Sequence, residues 1–196
     1  MGELRRRLVH LAGVGYPLLY IADRAVGPHL GYAGLQVLLV GSAAVSLVLE
    51  ALRLSGHVDW VVFDELTREY EQEYLAGYAL YMIGMATAVL AFQPVVALPA
   101  LLMLTVGDPV SGLLSSGDLG KRPAVLAAMF AVCAAMAAPF VVYEGLPPLA
   151  ALAGAATATV ADGVKPVIPG GYVVDDNLTI PVGAAAAMAA VVALGA

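Results

Sequence analysis

Apolar runs of about 20 residues follow one another from Leu8 to Leu194, each closed by glycine, proline or a charged residue. That length matches what a helix needs to cross a bilayer's hydrocarbon core. The runs are continuous rather than alternating, which excludes barrel strands, and an open sheet would leave backbone groups unpaired in lipid. The pattern predicts spans at Leu8 to Ile21, Tyr32 to Leu52, Leu75 to Phe92, Val95 to Leu114, Ala124 to Tyr143, Leu149 to Val164 and Leu178 to Leu194. Turn chemistry separates them at Gly27-Pro28, Gln93-Pro94, Gly117 to Pro123, Gly145 to Pro148 and Pro166 to Gly171. The segment Asp59 to Glu73 is too polar to span, yet Trp60, Phe63, Leu66 and Tyr70 recur at partly helical spacing, so an interfacial or cytoplasmic helix is expected there. The expected fold is all-α: a polytopic membrane helical bundle of about seven transmembrane helices and one interfacial helix, with residues 1–196 forming a single integral membrane domain.

Composition agrees with a bilayer as solvent. Hydrophobic residues make up 61% of the chain and charged residues 12%, against about 25% charged in soluble domains. The run after Arg7 contains His10 and Pro17 and ends at Asp23-Arg24, which suits a first span better than a cleaved signal peptide. A single cysteine, Cys133, excludes an internal disulfide and a multi-thiolate metal site. The net charge of -6 sits in short connections and does not suit nucleic-acid binding. With the N-terminus inside, Arg5, Arg6, Arg7, Arg53, Arg68, Lys121, Arg122 and Lys165 lie on the inner side and only Arg24 outside. Basic residues in short loops favour the cytoplasm, so a multi-pass cell-membrane protein with a cytoplasmic N-terminus and cytoplasmic motif-bearing loops is expected.

Against this background the polar residues inside apolar runs carry the chemistry. Asp108 stands within the fourth span, where an ionised carboxylate costs roughly 2.5 to 3.5 kcal/mol, so a metal, a polar cavity or a substrate is expected beside it. Gly112 shares its helix face, with Gly107, Ser111 and Ser115 nearby, which lets a ligand or a helix approach the backbone. Gly120 and the Lys121-Arg122 pair follow about two turns on and suit phosphate, although the spacing is not that of a Walker loop. At the N-terminus Arg6 and His10 are four residues apart and share a face; His10 reads equally as a pocket residue or a core histidine. Asp162 and Lys165 close the sixth run, and Asp175-Asp176-Asn177 opens the seventh. Those three hard-oxygen side chains suit Mg²⁺, and they equally suit a turn capping a helix. Glu69 and Glu73 share a face that is either solvated or part of a nucleotide pocket.

The order Arg-Arg-x-x-His near the start, Glu50 with Arg53, Arg68-Glu69, Gly107-Asp108-Pro109 leading to Gly120-Lys121-Arg122, and Asp175-Asp-Asn-Leu-Thr-Ile-Pro181 resembles the dolichol kinase and phytol kinase family. Nearly the whole chain is covered. The resemblance implies a CTP-dependent kinase that passes the γ-phosphate to a membrane isoprenoid alcohol with Mg²⁺. On the chemistry of the residues themselves, Asp108, Asp175 and Asp176, with Asp162 as a further ligand, are expected at the metal, Asp108, His10 and Asp162 in catalysis, and Arg6, Gly112, Gly120, Lys121, Arg122, Lys165 and Asn177 around the nucleotide. The chain departs from the pattern after Lys121-Arg122, where relatives often continue with a Lys and Glu-Gly-Ser, and at Asp162, where they usually carry Glu. The related phosphatidate cytidylyltransferases, which form a CDP-lipid, are the alternative enzyme. An ion-coupled transporter would also place carboxylates in spans, but would carry matched inverted halves.

Overall fold

The computed structural model describes residues 2–27, 29–58, 60, 61, 63, 67, 71–115, 121–166 and 173–195, with side chains from Arg7 onward. Among these the chain is all helical: α1 Gly2–Ala12, α2 Gly15–Val26, α3 Gly31–Leu54, α4 Gly77–Ala91, α5 Pro94–Leu114, α6 Pro123–Tyr143, α7 Pro148–Gly163 and α8 Asp176–Ala193. Four of them, α3, α5, α6 and α8, are long and apolar enough to cross a membrane. The expected third and sixth spans are shorter helices of 15 and 16 residues. The segment expected to form the interfacial helix lies largely outside the described residues.

The expected first span is divided. A continuous helix through Gly13 would need a donor at Pro17 for the Gly13 carbonyl, and proline has none. The chain therefore tightens: Gly13 N–H bonds the His10 carbonyl at 3.1 Å and Val14 N–H bonds the Leu11 carbonyl at 3.0 Å, ending α1 before α2 starts. The space at Gly13 is also taken, since a methyl group there would lie 1.8 Å from the Tyr81 hydroxyl.

A similar absence shapes α5. Pro109 cannot donate to the Thr105 carbonyl, and the helix widens into a π turn over Met103–Gly107 before resuming at Asp108. One extra residue in the turn rotates everything after it, Asp108 and Ser111 included.

Helix α8 is the centre of the bundle, packed on α7, α4 and α5; α3 covers α4, and α6 covers α7 and the π turn. Leu35, Leu39, Met85, Leu101, Met103, Met129, Ile180 and Met188 are fully buried between them. Small residues bring the helices close, as membrane packing requires: at Gly84 a methyl group would meet the Asn177 backbone oxygen at 2.4 Å. Helices α3 and α4 run antiparallel. Tyr32 and Gln36 at the start of α3 donate to the Phe92 and Val89 carbonyls at the end of α4, while Glu50 near the end of α3 accepts the Ala76 N–H. The outer face of α3 is as apolar as its inner one, with Val37, Val45 and Val48 each at least 60% exposed. A helix apolar on both faces suits lipid rather than water outside it.

Substitution Gly84→Ala should destabilise the protein by about 1–3 kcal/mol, because the obstructing atom is backbone and cannot rotate away. Gly41→Ala, with open space at the same helical geometry, should be neutral or raise stability by up to about 1 kcal/mol. Thermal unfolding in detergent compares the two.

Candidate functional site

Three carboxylates from three helices meet at one end of the bundle. Asp108 follows the π turn of α5, Asp162 sits in the last turn of α7, and Asp176 opens α8. One oxygen from each lies within 4.8 Å of the others. Asp162 and Asp176 are buried, and Asp108 is partly open. The α7–α8 connection and the start of α6 come to the same end because the helices alternate in direction.

Asp175, expected among the metal ligands, has a different position. It is the N-cap of α8, and its Oδ1 accepts the Asn177 N–H at 2.9 Å, which satisfies an otherwise orphaned helix-end donor. The group of three contains Asp162, the further ligand expected from the sequence. Asn177 turns toward α4, with its amide nitrogen 2.9 Å from the Cβ position of Gly77, and is also buried.

The carboxylates carry lysine counter-charges. Lys121 Nζ forms a short ion pair with Asp162 Oδ1 and also donates to Ser111 Oγ at 2.9 Å, while Ser111 Oγ donates to Asp162 Oδ2 at 2.6 Å. Lys165 Nζ pairs with Asp176 Oδ2 at 2.7 Å. Arg122 is exposed at the start of α6. Ser111 is the residue whose contact the sequence did not single out; its place three residues after Asp108 on one helix face is the signal that could have found it.

His10 comes to the site from α1, with Nε2 at 3.6 Å from Asp108 Oδ2. Tyr81 of α4 lies edge-on to its ring, centroids 4.1 Å apart. Arg7 brings its guanidinium to α5, with Nε 3.5 Å from the Cβ position of Gly112. The side chain of Arg6 and the whole of Gly120 lie outside the described residues.

A second polar cluster secures the chain before α4. Arg53 makes a two-pronged pair with Glu50 at 2.8 and 2.9 Å and donates to the carbonyls of Glu71, Gln72 and Tyr74. Buried Glu50 thus organises one guanidinium, which in turn holds three backbone acceptors at the mouth of the bundle.

Comparison of this chain with protein-family models, with curated proteins and with solved structures finds no match. What the site can do rests on its own geometry: hard oxygen donors for a divalent cation, and amines within reach of the same oxygens for anionic phosphates.

Removing a counter-charge should be costly. Lys121→Met leaves Asp162 buried without its cation and should lose about 3–5 kcal/mol. The double variant Lys121→Met/Asp162→Asn should recover part of that loss, as read by denaturant or thermal unfolding in detergent.

Proposed function

We propose that this chain is a CTP-dependent kinase that transfers the γ-phosphate of CTP to the hydroxyl of a membrane isoprenoid alcohol. The observation that carries the reading is the convergence of Asp108, Asp162 and Asp176, two of them lysine-paired, at one end of an apolar helical bundle. The choice of CTP and of a dolichol-type or polyprenol acceptor comes from the sequence resemblance. In this reading α1 and α2 together form the first of seven passages, and α4 and α7 complete the set. The end bearing the site faces the cytoplasm, as the excess of basic residues in the expected inner segments predicts.

The donor set suits Mg²⁺, which is held by one or two carboxylates together with substrate phosphates and water. Asp108, Asp162 and Asp176 are the residues that would hold it, and when bound it supplies neutralisation of the charge on the phosphate oxygens. Lys121 and Lys165 exchange their carboxylate partners for phosphate oxygens as the nucleotide arrives. Arg7, lying over Gly112, adds a guanidinium to the same anion. The alcohol enters from the bilayer with its hydroxyl near His10. Its oxygen forms the bond to the γ-phosphorus as the bond from that phosphorus to the bridging oxygen breaks, CDP leaves, and the alcohol proton passes to His10 Nε2. Asp108, 3.6 Å from that nitrogen, stabilises the imidazolium.

A reconstituted assay tests this. Polyprenol and phosphatidate are each offered with CTP labelled at the γ- or the α-phosphate. Label from the γ position should enter polyprenol, and Asp162→Asn should lower kcat by about 10²-fold or more. Label from the α position in a phosphatidate-derived lipid would make the enzyme a cytidylyltransferase, and no label in either lipid would refute the kinase.

A further inference from the structure

The break between α1 and α2 leaves the His10 carbonyl without the Val14 N–H that a continuous helix would supply, since that N–H bonds Leu11 instead. The carbonyl accepts two other donors: Gly13 N–H at 3.1 Å and, from α4, the Tyr81 hydroxyl at 2.8 Å. Tyr81 is buried, and its ring meets the His10 imidazole edge-on at 74° with centroids 4.1 Å apart. One side chain therefore grips His10 twice, by its backbone through the hydroxyl and by its ring through the edge-on aromatic contact. Only a glycine at position 13 leaves room for this, because a Cβ there would sit 1.8 Å from the Tyr81 oxygen. With the end of α1 and the imidazole plane both held, Nε2 is left facing Asp108.

We propose that Tyr81 is a positioning residue that aims His10 Nε2 at Asp108 and at the acceptor hydroxyl, an inference that rests on the kinase reading for its kinetic consequence and on geometry alone for its structural one. A misplacement of about 1 Å at a reacting group can cost up to about 10²-fold in rate. Tyr81 touches no reacting atom; it acts through His10.

The experiment uses the full chain in nanodiscs. Tyr81→Phe keeps the ring and removes the grip on the backbone; it should lower kcat roughly 10-fold and leave the KM for CTP within about twofold. Gly13→Ala, which displaces the same hydroxyl, should reproduce that split. Combined with His10→Gln, neither substitution should lower kcat further by more than about twofold, because its route to the chemistry is already gone. Losses that multiply in the double variants, or a fall confined to KM, would overturn the proposal. A separate arm is independent of turnover: in protein labelled at histidine ¹³Cε1, the signal absent from His10→Gln should shift or broaden in Tyr81→Phe. An unchanged His10 signal would overturn the positioning role even in an active kinase. A shifted signal in a chain that phosphorylates no lipid would uphold it and refute the kinase reading alone.

Discussion

Three carboxylates within 4.8 Å of one another, two of them buried, set the terms for the rest of the molecule. At an effective dielectric of about 20, each pair of like charges at that separation repels by roughly 3.5 kcal/mol. The fold meets this load with cations from two connections, Lys121 before α6 and Lys165 after α7, and with the Ser111 hydroxyl from α5. Such an arrangement is poor at maximising stability, because desolvating the charges offsets much of what the pairs return. It suits a site whose cations are to be lent to another anion.

The backbone devices around the site serve that convergence. The π turn before Asp108 and the break before Gly15 both arise where a proline four residues on withholds a donor, at Pro109 and Pro17. One re-aims Asp108, and the other brings His10 and Arg7 against α5 instead of letting α1 continue straight into the apolar body. Small residues then let α8 press against α4 and α7, so that Asp176 reaches Asp108 and Asp162. Close packing and polar convergence thus have a common origin in the placement of glycine and proline.

Much of this was legible in the sequence, and the failures have physical reasons. Helices, and the carboxylates that interrupt them, could be read because charge inside a 20-residue apolar run is expensive and therefore conspicuous. The division of the first run was hidden: Gly13 and Pro17 sit in an apolar stretch whose hydropathy does not register a lost hydrogen bond. Asp175 and Asp176 looked equivalent as neighbours, but the N-cap geometry of α8 turns the first to its own backbone and the second to Lys165. The approach of Arg7 to Gly112 was not singled out either, because residues from separate helices share no sequence period. The ion pairs of Lys121 and Lys165 join residues far apart in the chain, and no local period announces them.

In the proposed kinase the three carboxylates form a metal–nucleotide site whose lysines change partner when phosphate arrives. Electron paramagnetic resonance of Mn²⁺ with the full-length protein in nanodiscs, titrated with and without CTP, tests it most directly. The signal of immobilised, protein-bound Mn²⁺ should strengthen sharply when CTP is present and disappear in Asp162→Asn. No protein-bound Mn²⁺ in the presence of CTP, or an equal signal from the Asp162→Asn variant, would contradict it.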